Sequence, residues 1–134
     1  RKDNTMKFRN EKHRNTFLNE AKKQSLKNYK IISALYLLTA DEKLWEAAKP
    51  SVEKDEIMFE NIRLKSSSES TYALYCAAKD LYNGSRHLAI DDMADGGLIK
   101  NKVFSLIYNA ILLKRNGLAA VNSMEICGCG EEEN

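Results

Sequence analysis

KSSSESTYALYCAAKDLYNG, residues Lys65 to Gly84, is the stretch that decides the fold class. Ser66 followed by Glu69 fits a capping box, in which each side chain satisfies a backbone N–H left open in the first helical turn. Ser67 and Ser68 suit the same role. Leu74, Ala78 and Leu81 recur at helical spacing below Thr71. Tyr72, Tyr75 and Tyr82 fall on the flanks of that stripe, where a ring is buried while its hydroxyl stays wet. Asn83-Gly84 closes the element, because glycine enters the left-handed conformation at little cost. The spacing predicts a helix over 66–83. Its hydroxyl-rich start has two readings, an anion site at a helix N-terminus or ordinary capping beside a solvated loop. The neighbouring sequence places no catalytic group there, and serine is a usual cap, so capping is the simpler reading.

The second helical signal is Lys27 to Thr39, KNYKIISALYLLT. Ile31, Ile32, Ala34, Leu35, Leu37 and Leu38 cover nearly the whole circumference, which places this helix in the core. Its Ala and Leu content favours helix over strand. The third signal is Lys102 to Arg115, closed by Asn116-Gly117. Val103, Ile107, Ala110 and Ile111 form its expected inner stripe, and Lys114 and Arg115 suit the C-terminal end of the helix dipole. Asn10 caps a first helix running to about Gln24, with His13 or Arg14, Phe17, Leu18 and Ala21 inside. Thr39 with Glu42 is a second capping-box candidate and would start a short helix bearing Leu44, Trp45 and Ala48 on its inner side. Pro50 stops that helix. Residues 51–65 admit a helical turn or a short extended segment. A short helix is expected near Leu88 to Met93.

These elements assemble into an all-α fold, a single bundle of about five helices, with the 27–39, 66–83 and 102–115 helices at its centre. We divide the chain into a lead-in at 1–7, a helical domain at 8–117 and a Cys- and Glu-containing tail at 118–134. Residues 1–5, RKDNT, precede a candidate natural start at Met6. The chain's 134 residues suit one domain. A hydrophobic share of 43% with 30% charged residues is globular rather than disordered. One Pro and six Gly are too few turn formers for a many-stranded β protein. No apolar run approaches the ~20 residues of a membrane span. Cys76, Cys127 and Cys129 do not make a disulfide framework, so a reducing cytoplasm is the expected location.

The formal net charge of +2 conceals an asymmetry. Residues 1–30 hold ten basic side chains against three acidic ones, and residues 41–60 hold seven acidic against three basic. Lys12, Arg14, Lys22, Lys23, Lys27 and Lys30 are therefore candidate nucleic-acid contacts through the phosphate backbone. The competing reading is that the two segments offset one another within the fold.

No catalytic motif is visible: no G-x-S-x-G, Walker A loop or H-E-x-x-H. The acidic run from Asp91 to Gly97 fails as a calcium loop, because Met93 and Lys102 stand where oxygen ligands are needed. Cys127-Gly-Cys129 lacks the further ligands that zinc requires. Cys76 reads as a small core hydrophobe. His87 with Asp91 and Asp92 is the one arrangement that would suggest an enzyme, and only if those groups converge. No metal and no cofactor is implied.

Several segments in order carry a resemblance. Phe8-Arg9-Asn10-Glu11-Lys12-His13 opens the first helix. An aliphatic helix runs into Ala40-Asp41-Glu42-Lys43-Leu44-Trp45. Ser67-Ser68 precedes a helix ending Leu81-Tyr82-Asn83-Gly84, and Asn109-Ala110-Ile111 lies in the last helix. From Met6 to Arg115 the chain resembles a family of small uncharacterised all-helical proteins of Gram-positive gut bacteria and their mobile elements. That resemblance implies a helical cytoplasmic domain and brings no site residues with it. The expected function is a non-enzymatic protein-interaction module. Tyr72, Tyr75 and Tyr82 are its candidate partner-binding stripe, or a homodimer face. A nucleic-acid-associated protein using the basic face of residues 1–30 is the alternative.

Overall fold

The computed structural model describes residues 7–65, 68–117 and 125–126. These form six α-helices, five of them of at least seven residues, and little strand. The architecture is all-α, in agreement with the apolar periodicities. The lead-in before Lys7, Ser66 and Ser67, and the Cys127 and Cys129 pair lie outside the described residues.

Helix α1, Glu11–Ala21, starts where the Asn10 side chain accepts the His13 N–H at 2.8 Å. It buries His13, Phe17 and Ala21, while Arg14 stays exposed and Leu18 is half-buried. Helix α2, Tyr29–Leu38, starts on Asn28 in the same way, with the Ile31 N–H donating at 3.3 Å. Every residue from Ile31 to Leu38 is buried. No helix buries all its sides unless neighbours surround it, and α2 packs against α1 and α3. It also packs against α4, Glu69–Asn83, and α6, Asn101–Asn116. Each fully buried Leu or Ile on it contributes about 2 kcal/mol of transfer free energy.

Helix α3, Glu42–Ala48, begins one step away from the expected cap. Asp41, not Thr39, accepts the first-turn N–H, from Leu44 at 3.0 Å. The Thr39 hydroxyl turns back and donates to the Leu35 carbonyl at 2.7 Å, so Thr39 finishes α2 instead of starting α3. Pro50 then sits in a 3₁₀ turn, Lys49–Ser51.

Residues 51–65 use both conformations that the sequence allowed. Strands β2, Val52–Glu53, and β3, Glu56–Ile57, pair antiparallel, with Val52 opposite Ile57. A 3₁₀ turn follows at Phe59–Asn61. Asp55 makes the hairpin turn with φ 63°. Ile57, Phe59 and Ile62 are buried and close one end of the core.

Ser68 caps α4, its hydroxyl accepting the Thr71 N–H at 3.1 Å. The buried face is built from small residues, Ala73, Cys76, Ala77 and Ala78, with Thr71 and Leu74. Small side chains let α4 lie close to α2. Gly84 ends α4 in the left-handed conformation, φ 74°. Helix α5, Ile90–Met93, is a single turn. The inner face of α6 is Val103, Leu106, Ile107, Asn109, Ala110 and Leu113. Ile111, expected inside, is 40% exposed, because the buried arc is centred on Ala110 and turns Ile111 outward. Strand β1, Lys7–Phe8, pairs in parallel with β4, Glu125–Ile126. No helix among the described residues is long and apolar enough to cross a membrane.

Candidate functional site

Three segments far apart in the chain converge on one cleft of about 480 Å³. They are Arg9 to His13, Thr39 to Trp45, and Ser68 to Thr71. These are largely the stretches singled out in the sequence, and the fold brings them to one place.

Asp41 organises the cleft. One carboxylate oxygen accepts the Leu44 N–H, and the other accepts the Thr71 hydroxyl at 2.8 Å. Thr71 in turn accepts from the Ser68 hydroxyl at 3.1 Å. Asp41 therefore starts α3 and ties it to the first turn of α4. At the residue before Asp41, the Arg9 guanidinium donates to the Ala40 carbonyl at 3.0 Å. Lys12 pairs with Glu42 at 2.7 Å across exposed surface.

His13 lies at the floor of the cleft, 2% exposed. Its Nδ1 accepts the Arg9 backbone N–H at 2.9 Å. Its Nε2 lies 2.8 Å from the Tyr36 carbonyl, and a carbonyl only accepts, so Nε2 carries the proton. Burial pushes the imidazole pKa down to about 4, and the Arg9 charge adds to this against the opposing Tyr36 bond. A neutral histidine with both nitrogens engaged holds backbone together and is not placed for acid–base chemistry.

The three candidate tyrosines lie on α4, the Tyr72 and Tyr75 rings 6.1 Å apart. Tyr75 and Tyr82 are half-buried, with rings 6.0 and 5.5 Å from the Phe59 ring. The Tyr82 hydroxyl accepts the Ile57 N–H at 3.1 Å, which pins the β2–β3 hairpin. Tyr72 alone of the three is mostly exposed, at 54%. Among the basic candidates, Lys12 meets Glu42, Arg14 approaches Glu11 at 4.0 Å, and Lys23 meets Glu20 at 3.3 Å. Lys30 sits over the Tyr82 ring, 4.8 Å from its centroid. Lys22 and Lys27 make no ion pair among the described residues. The Ser25 N–H donates to Asp55 at 3.0 Å, and the Gln24 side chain donates to the Glu53 carbonyl at 3.2 Å, so the acidic hairpin docks beside this basic segment.

His87 does not gather Asp91 and Asp92. It contacts Asp80 at 2.8 Å, while Asp92 accepts the Ala89 N–H at 2.9 Å. Asp80 also accepts from Ser85 and from the His87 and Leu88 N–H groups. Burial raises its pKa, but these bonds outweigh burial and leave it below the usual carboxylate value. Burial pushes the Cys76 thiol up, away from nucleophile character. No cluster of three or more His, Cys, Asp or Glu able to hold a metal occurs among the described residues.

A second feature lies on the outer side of α6. Phe104, Tyr108 and Ile111 are 41%, 47% and 40% exposed and follow i, i+4, i+7 spacing. That spacing draws one stripe along the helix, with Arg115 continuing it. No acidic residue occurs in α6, and its charges are Lys102, Lys114 and Arg115. The exposure of Ile111, rather than the apolar content of the helix, makes this stripe visible. Comparison with protein families, curated proteins and solved structures finds no match to this chain.

Proposed function

We propose that the protein is a non-enzymatic protein-interaction module of the cytoplasm, an accessory encoded by a mobile element, with the outer stripe of α6 as its docking face. The observation that carries this reading is the contiguous exposure of Phe104, Tyr108 and Ile111. Three large apolar side chains in a line on one helix are the anchors by which a helix engages a groove. The absence of carboxylates from α6 points to a partner whose apolar surface is bordered by acidic residues. A second copy fits less well, because antiparallel pairing of two such helices brings Arg115 of one beside Lys102 of the other.

The test is site-specific photocrosslinking in cells, with a benzophenone amino acid at position 108 and, as a control, at Lys12. The expected result is a discrete adduct with an acidic protein from position 108 and none from position 12. Phe104→Gln with Ile111→Gln should abolish that adduct while the helical circular dichroism is unchanged, since both side chains are exposed. Adducts only with the chain itself, or an adduct that survives the double substitution, would overturn the reading.

A further inference from the structure

The cleft bounded by Arg9, Lys43 and Trp45 has an unbalanced set of hydrogen-bonding groups. Asp41 accepts one bond on each carboxylate oxygen, Glu42 holds Lys12 through Oε2, and the Ala40 carbonyl holds Arg9. Several of the donors hold no partner among the described residues. Arg9 commits one guanidinium nitrogen to Ala40 and meets no carboxylate among the described residues. Among the same residues Lys43 makes no ion pair, and the Thr16 hydroxyl, the Asn10 amide N–H groups and the Trp45 indole N–H make no hydrogen bond. An open cleft of about 480 Å³ is of the size that small organic ligands occupy. What enters it gains by supplying acceptors and negative charge.

We infer that this cleft binds a small organic oxyanion, a carboxylate or phosphate ester carrying a planar apolar group. The oxyanion sits between Arg9 and Lys43, where the guanidinium is already oriented by the Ala40 carbonyl and loses little freedom on binding. The apolar group lies along Trp45, which is half-buried and so presents one part of its ring to the cleft. The Asp41–Thr71–Ser68 chain ties the starts of α3 and α4 together where they line the cleft. This site is independent of the α6 stripe.

Trp45 is the only tryptophan in the chain, so its fluorescence reports this cleft directly. The experiment titrates the full chain with phenyl phosphate and with benzoate, and with inorganic phosphate and acetate as headgroups alone. The expected result is saturable quenching by one of the aromatic anions, at lower concentration than by its bare headgroup. Whichever arm binds more tightly identifies the headgroup. Lys43→Gln should raise the half-saturating concentration about tenfold, the loss of one charge-assisted hydrogen bond. Arg9→Gln should do the same, and Arg9→Lys should recover part of the loss. Lys43 is exposed, so its variant keeps the fold even if Arg9→Gln does not. No saturable change up to millimolar ligand would overturn the proposal. So would quenching that is unaltered in Lys43→Gln, or equal quenching by an uncharged phenol.

Discussion

At the residue scale, two glycines that look alike in sequence do different work. Asn83-Gly84 and Asn116-Gly117 both end helices, and both glycines have positive φ, 74° and 73°. Gly84 is an ordinary left-handed cap, and a Cβ added there meets nothing within 4 Å. Gly117 has ψ −166°, a region almost restricted to glycine, and a Cβ there would come within 2.4 Å of the Tyr29 ring. Tyr29 opens α2, so the close approach joins the end of α6 to the start of the central helix. Gly84→Ala should therefore cost about 1 kcal/mol, the left-handed penalty alone. Gly117→Ala should cost at least about 2 kcal/mol, because strain and a ring displacement add to it. Urea midpoints of the two variants measure the difference, and equal values would contradict the packing at Gly117.

At the element scale, the helix starts show what local sequence carries and what it does not. Asn10, Asn28, Asp41 and Ser68 all cap, and each side chain accepts an N–H three residues on. That chemistry is local, so the starts of α1 and α4 were legible to within two residues. Thr39 and Asp41 are both sound caps, and only the packing of α2 decides that Thr39 bonds backwards to Leu35. The link from Asp41 to Thr71 spans 30 residues and has no periodic signature, so the cleft was not legible at all. The inner face of α6 was misplaced at Ile111 for a related reason. Nine apolar or aromatic residues wrap the helix, and Asn109 is drawn inside to bond Tyr36 at 3.1 Å and the Lys7 carbonyl at 3.2 Å. Asp41→Ala should cost about 2 kcal/mol, the sum of a lost cap and a buried Thr71 hydroxyl left without its acceptor. Adding Thr71→Val removes that orphaned hydroxyl. The double variant should then be more stable than the two single losses add to, and additive losses would show that the two groups are not coupled.

At the scale of the whole molecule, the fold is a buried hub, α2, surrounded by helices whose apolar faces are narrower than its own. His13 links three parts of that arrangement: the backbone after β1, the first turn of α1 and the carbonyl of Tyr36 in α2. Beside it the rings of Phe8, Phe17 and Tyr36 pack at 4.7–6.0 Å centroid distances, so a charge on the 2% exposed imidazole is poorly solvated. Its folded pKa is about 4 against an ordinary 6.5, which fixes a sign. Between those values the unfolded chain binds a proton that the folded chain refuses, so stability falls as pH drops from 6.5 towards 4. Below about 4 both states are protonated at this position and the loss from His13 levels off. The full loss is about 3 kcal/mol, a large part of the stability of a domain this size. Asp80 acts in the same direction at lower pH, since its depressed pKa contributes stability that is lost as pH falls below the usual carboxylate value. Two measurements separate the groups. The His13 ring resonances should show a neutral Nε2–H tautomer at pH 5.5. The denaturant midpoint should decline between pH 6.5 and 4.5 in the parent chain. It should decline less in Asn10→Ala, if loss of the cap opens His13 to solvent, and a parent midpoint independent of pH over that range would show that His13 accepts its proton without leaving the core.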